Sequence, residues 1–273
     1  MTTMNRRTLY PMLVLVCAVG PTALAQGPRT ISLDSATVAD LNAAFDAGSL
    51  TSEQLVEMCL ARIRAYDRQG PSLRALITVN PKALDIARQL DVERRNKGRR
   101  SPLHGIPVVL KDNINTADMP TTAGSIALEG SVPPSDAFVA KRLRDAGAII
   151  LGKANMSEFA SGIARSSLGG QMRNPHDLTR TPLGSSGGSG ISVAAAYAVI
   201  GVGTDTGGSI RNPSAATGIV GLKPTLGLIS RDGIVPLALT FDTAGPLARN
   251  VHDVAVALGV MAGVDVADDN QKE

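Results

Sequence analysis

Four short apolar runs, Ala75 to Val79, Pro107 to Leu110, Ala148 to Leu151 and Val199 to Val202, recur along the chain with helical patterns between them. Each is the length of a buried strand and too short for a core helix. Thr51 can cap a helix whose apolar residues Leu55, Cys59, Ile63 and Tyr66, flanked by Val56 and Leu60, fall on one side as a core stripe. Asn80-Pro81 opens a second helix with Pro at its first position, Ser135 opens a third that runs to Gly147, and Ile191 to Tyr197 reads as a buried Ala-rich helix. Alternation of helix and strand predicts an α/β layered sheet. With 44% hydrophobic residues in 273, the chain has enough apolar side chains for such a core.

From Ser161 to Gly233 the texture changes, with Gly, Ser, Thr and Pro crowded together and few charges. Such composition usually marks a linker. Apolar segments at structured spacing run through it, so it reads instead as an ordered site built largely from backbone. The final stretch, Asp265 to Glu273, is polar and uncapped and is expected to fray.

The first residues have the three parts of a secretory leader: Arg6 and Arg7, an apolar run from Leu9 to Val19, and Ala23-Leu24-Ala25 before Gln26. The run is interrupted by Pro11 and Gly20-Pro21 and is too short to span a bilayer. The expectation is a signal peptide over 1–25, an exported mature chain from Gln26, and no stable membrane insertion once the leader is gone. The leader holds two arginines and no acid, so its removal takes the formal charge from +3 to +1. That near-neutral charge, with aromatics at only 3% and no Trp, argues against nucleic-acid binding. Cys17 leaves with the leader, and Cys59 alone can form neither an internal disulfide nor a cysteine zinc site. His104, His176 and His252 have no metal-ligand spacing, and neither metal nor cofactor is expected.

Three clusters could carry chemistry: Gly105 to Asn113, Gly184 to Ser189, and Gly203 to Arg211. In the first, Lys111 follows four apolar strand residues. Desolvation there would disfavour its ammonium and make it a usable base, whereas a lysine that merely snorkels to water would stay charged. In the third, Gly207 and Gly208 precede Ser209, so backbone N–H groups can converge on an anion unobstructed. An attacking Ser209 Oγ would place its oxyanion at that spot. The second cluster offers two adjacent hydroxyls, Ser185 and Ser186, between glycines. Alone each cluster could be an ordinary turn. Together they supply a serine nucleophile and a lysine acceptor that needs no histidine.

In this order the three clusters resemble the amidase signature family of amide hydrolases. The resemblance runs from about Leu33 to Ala262 and includes Leu103-His104-Gly105-Ile106-Pro107, Gly152 to Phe159, Gly218 to Thr225 and Asp242-Thr243-Ala244-Gly245-Pro246. It implies a mixed central sheet flanked by helices on both faces, forming one domain over 26–273. It also implies a Ser-cisSer-Lys triad of Ser209, Ser185 and Lys111, with the cis bond between Gly184 and Ser185. Thr206, Gly207, Gly208 and Ser209 would supply the oxyanion-hole N–H groups, and Ser186 would support the network. The implied activity is hydrolysis of a small-molecule amide through an acyl-Ser209 intermediate, with activity shifted toward alkaline pH. Two departures stand out. Leu183-Gly184 replaces the family's paired glycines, and the family's C-terminal part, which completes the sheet and walls the acyl pocket, is expected to be absent. Alternatives are therefore an inert or weak fragment and the A-subunit of a tRNA-dependent amidotransferase.

Two other motifs are formally present. Gly184 to Gly188 fits a G-x-S-x-G elbow with Ser186 as nucleophile and Asp242 and His252 as partners, but its lead-in is not a strand. Gly147 to Lys153 comes close to a phosphate-binding loop, but its middle wants to be a buried strand. Arg211 and Arg231 could meet a carboxylate, with ion pairing as the simpler role.

Overall fold

The computed structural model describes residues 31–268 and Gln271, so the leader read over 1–25 lies outside the described residues. Among them, six strands form a mixed sheet: β1 (Leu76–Val79), β2 (Pro107–Lys111), β3 (Ile149–Ala154), β6 (Ile200–Asp205), β7 (Val220–Gly221) and β8 (Thr243–Ala248). Arg165–Ser166 (β4) and Gly170–Gln171 (β5) pair separately as a small antiparallel ladder. The sheet order is β1-β3-β2-β6-β8-β7. Its centre, β3-β2-β6, is parallel, and both flanks turn antiparallel. Every residue of β2, β3, β6 and β8 is buried, as continuous apolar runs in a covered sheet require.

Among the described residues the α-helices are α1 (Val38–Asp46), α2 (Ser52–Tyr66), α3 (Ala83–Lys97), α4 (Phe138–Asp145), α5 (Gly187–Ala194), α6 (Arg211–Ala216) and α7 (Val251–Met261). Thr51 caps α2 as the sequence predicts, and a Gln54 side chain completes the capping box. Asp91 of α3 accepts from the N–H groups of Ser52 and Glu53 and so joins α3 to the start of α2. The sheet is covered on both faces. Gly201 and Leu247 are cross-strand partners, and Leu247 packs with Val193 of α5 and with Ile210. Their neighbours Ile200 and Ala248 point the other way and share the main core with Val254, Ala257 and Met261 of α7.

Several element limits differ from the sequence reading, each where a hydrogen bond or a backbone conformation sets them. α3 begins at Ala83, because Asn80 Oδ1 accepts from Lys82 N–H and holds Pro81 in a turn. α4 begins at Phe138, because Asp136 accepts from Ala117 N–H and Ala137 N–H donates to Asn115 O, which holds Ala137 extended ahead of the helix. α5 starts four residues early and ends at Ala194, where Ala196 takes a positive φ and Tyr197 N–H closes back on Ser192 O. The expected fraying fails as far as Asp268: Ser230 donates to Asp265, and Arg231 pairs with Asp268.

The start of α5 is fixed by contact with the sheet. Gly188 N–H donates to Asn155 O, and a Cβ at Gly188 would lie 2.3 Å from the carbonyl oxygens of Ala75 and Asn155. These are backbone atoms that cannot rotate away. Gly188→Ala is therefore expected to destabilise the fold by roughly 1–3 kcal/mol. Thermal or urea unfolding measures this, and a variant as stable as the parent would show that α5 can lift from β3 without penalty.

Candidate active site

The C-terminal ends of β2 and β6 lie side by side, and the loops that follow them meet the turn that precedes α5. Lys111, the last residue of β2, is fully buried. Its Nζ lies 2.7 Å from Ser185 Oγ, 2.7 Å from Thr204 Oγ1 and 3.3 Å from Thr204 O. Burial pulls its pKa down to about 7, against the opposing pull of the Asp205 and Asp242 carboxylates. The strand-end lysine is thus a desolvated amine bonded to neutral oxygens, not a snorkelling cation.

Ser185 is also buried, and the Gly184–Ser185 peptide bond is cis. Its carbonyl accepts from Ser157 N–H at 3.0 Å, which ties the turn to the segment after β3. Ser186 Oγ donates to Thr204 O at 3.1 Å and accepts from Thr204 N–H at 3.3 Å. Gly203 permits this approach, since a Cβ there would fall 2.7 Å from that hydroxyl. Ser186 N–H donates to Ser209 O at 3.1 Å, so the serine turn and the loop after β6 are joined through backbone. Ser209 itself is half-buried at the start of that turn of chain.

Asp205 shapes the loop from Thr206 to Ser209. Its carboxylate accepts from Gly208 N–H at 2.7 Å, from Ile210 N–H at 3.0 Å and from the Arg211 side chain at 3.1 Å. Burial alone would raise its pKa, but the bonds from Arg211, Ile210 and Gly208 outweigh that and hold it at about 2. Arg211 is thus an ion-pair partner, as is Arg231. Thr206 donates to Asp242, Gly207 is exposed with open space where a Cβ would stand, and Gly208 has φ +132. Of the four N–H groups assigned to an oxyanion hole, that of Gly208 is already given to Asp205. Thr206, Gly207 and Ser209 remain as the donors of this loop that Asp205 does not engage.

Thr204 and Asn113 have no role in the sequence reading although both lie inside the three clusters. Asn113 Nδ2 donates to Thr204 Oγ1 at 3.1 Å. A second buried lysine, Lys153 on β3, enters that reading only within the family's Gly152 to Phe159 segment and as the end of the near phosphate-loop motif. Lys153 pairs in register with Leu110, so it points away from the face that Lys111 occupies. It donates to Thr121 Oγ1 at 2.7 Å and to Pro120 O at 3.0 Å, with Asp112 at 3.7 Å. Burial pulls it down to about 8 and pushes Asp112 up, each opposed by the other's charge. An apolar run ending in Lys or in Gly-Lys is the available signal for both lysines.

The rival motifs dissolve in the geometry. Ser186 is engaged with Thr204, while the 72% exposed His252 side chain projects from α7 toward Asp253. Asp242 accepts from Thr206 and from the N–H groups of Leu237 and Ala238. The phosphate-loop segment is strand β3. His104 Nε2 contacts Leu90 O, and among the described residues no three metal-ligating side chains come together.

A family model described as Amidase matches residues 54–273. The chain is 48% identical, over 85% of its length, to the A-subunit of the glutamyl-tRNA(Gln) amidotransferase of Halorhodospira halophila, covering 48% of that protein. It is 43% identical to a probable amidase of Arabidopsis thaliana, over 94% of this chain and 52% of that one. Among solved structures, peptide amidase from Stenotrophomonas maltophilia superposes with a TM-score of 0.85 at 52% identity, covering 87% of this chain and 50% of that one. The chain spans about half the length of the relatives it matches.

An aspartate held at about 2 stabilises the fold fully above the ordinary aspartate range near 4 and ceases to do so as pH falls toward 2. The part of the stability difference between the parent and Asp205→Asn that comes from the carboxylate itself is expected to shrink as pH falls from about 4 toward 2, below the range in which Lys111 titrates. Urea unfolding at stepped pH measures this, and a difference that stays flat to pH 2 would refute the charge-linked role.

Proposed function

The chain belongs to the amidase family, and on that footing we propose that it hydrolyses carboxylic amides through an acyl-Ser209 intermediate, with Ser185 and Lys111 as the proton relay. The carrying observation is the 2.7 Å contact between a fully buried Lys111 Nζ and Ser185 Oγ. Neutral Lys111 takes the Ser185 proton as Ser185 takes that of Ser209, and Ser209 Oγ bonds to the amide carbon. N–H groups of Thr206, Gly207 and Ser209 receive the oxyanion, and Asp205 fixes the loop through Gly208. Collapse of the adduct breaks the C–N bond, and the proton held on Lys111 passes back through Ser185 to the departing amine. Water then cleaves the ester by the same relay and releases the acid.

Peptide amides are the first substrate class to test, because the likeness to a peptide amidase is 52% identity over 87% of this chain. A second reading, one component of an amidotransferase that works with partner subunits, draws on the 48% identity to the A-subunit of a glutamyl-tRNA(Gln) amidotransferase. We also propose export. The basic start, apolar run and Ala23-Leu24-Ala25 support it, and the processed chain is expected to begin at Gln26, as N-terminal sequencing would read.

Purified protein is expected to hydrolyse small peptide amides with no partner, and Lys111→Ala and Ser209→Ala are each expected to lose about 10³-fold or more in kcat/KM. Since Lys111 acts as the neutral amine, kcat/KM should rise with pH through about 7. A rate unchanged between pH 5.5 and 8.5 would eliminate the lysine as base. Activity that appears only when partner subunits are added would favour the second reading.

A further inference from the structure

Lys111 can act as a base only if its single lone pair faces Ser185, and three oxygens surround its Nζ. A neutral amine offers two N–H donors and one lone pair. Thr204 O, a carbonyl, can only accept and so takes one N–H. The other two positions, both at 2.7 Å, are hydroxyls, and either could give or take a proton. Which hydroxyl receives the second N–H therefore decides whether the lone pair meets Ser185 or Thr204.

We propose that Thr204 is a positioning residue whose hydroxyl accepts from Lys111 Nζ and thereby turns the lysine lone pair onto the Ser185 hydroxyl. Thr204 is buried in β6, and its β-branched side chain is held by strand geometry. Ser186 grips the backbone of the same residue from both sides, at its N–H and its carbonyl. Asn113 Nδ2 donates to the Thr204 hydroxyl while also reaching Val235 O at 3.3 Å, which sets it as a donor there. The Thr204 oxygen thus works as the acceptor between two donors, Lys111 and Asn113. The charges acting on Lys111 from neighbouring elements are Asp205, which ends β6, and Asp242, which precedes β8. Neither is altered by a change at Thr204.

The inference rests on the relay reading only for its consequence in the reaction, and its geometry can be read without any turnover. In protein labelled with ¹⁵N at lysine Nζ, with the Lys111 signal assigned by its loss in Lys111→Met, titration gives the protonation midpoint directly. An accepting hydroxyl favours the ammonium, so Thr204→Val, which keeps the side-chain shape, is expected to lower the midpoint by about 1–2 pH units. Thr204→Ser is expected to titrate as the parent does. A donating hydroxyl would favour the neutral amine, and its removal would raise the midpoint. A raised or unchanged midpoint in Thr204→Val therefore overturns the proposal, as does Thr204→Ser behaving like Thr204→Val.

The same proteins, reacted with a fluorophosphonate that traps nucleophilic serines, separate this inference from the relay. Labelling at Ser209 that is lost in Lys111→Met supports the relay. With Thr204→Val its plateau rate should fall about 10- to 100-fold while its acid limb moves to lower pH, the opposite of what general loosening would give. Labelling indifferent to both Ser209 and Lys111 would discard the relay, and the titration would still decide which way the Thr204 hydroxyl points.

Discussion

An amine at the dry end of a central strand is the constraint around which this molecule is arranged. Lys111 is buried away from bulk solvent, and the groups that bond its Nζ are oxygens placed by other elements. β6 supplies one residue twice over, the cis turn ahead of α5 supplies another, and Asn113 just beyond β2 steadies the first. The remoter charges at Asp205 and Asp242 moderate the effect of burial without pairing directly with the amine. An amine set in this way sits near its protonation midpoint in neutral water, which is the property a proton acceptor needs.

Asp205 performs the complementary task on the other side of the turn. It is an ionised carboxylate, buried, and satisfied by backbone donors and by Arg211. Buried charges survive when bonded in this fashion. One side of the site therefore holds a lysine that has lost its preference for charge, and the other holds an aspartate that has gained one. The two sit at the ends of adjacent parallel strands, where loops of different parents converge.

Much of this was readable from residues alone. The four apolar runs became the strands they suggested, because a covered sheet leaves no polar alternation to confuse the pattern. The strand Thr243–Ala248 was not readable, since Gly245 and Pro246 break every strand signature, and only its place between β6 and β7 makes it extended. The helix start at Phe138 was set by bonds to Ala117 and Asn115, far away along the chain, that leave no local mark, whereas the later start at Ala83 follows from an Asn80 turn that the Asn-Pro pair itself signals. In the site, Lys111, Ser185 and Ser209 stood out by cluster and resemblance. Thr204 did not, because a threonine in a strand is the commonest of sights and its meaning lies in a lysine 93 positions away. The engagement of Gly208 N–H by Asp205 was equally hidden, for a backbone donor carries no side-chain signature.

That separation along the chain has a consequence for how the molecule comes into being. Lys111 meets Ser185 across 74 positions and Thr204 across 93, and no short segment contains the lysine together with either partner. The loop entropy of such contacts is met only when the parallel centre of the sheet closes. The amine has no reason to shed its proton before that closure, so its acidity is a property of the assembled sheet alone. During synthesis the chain carries an ordinary lysine until β6 has joined β2. The lowered pKa then arrives in one step with tertiary structure, which makes the lysine's protonation a reporter of native assembly built into the protein itself.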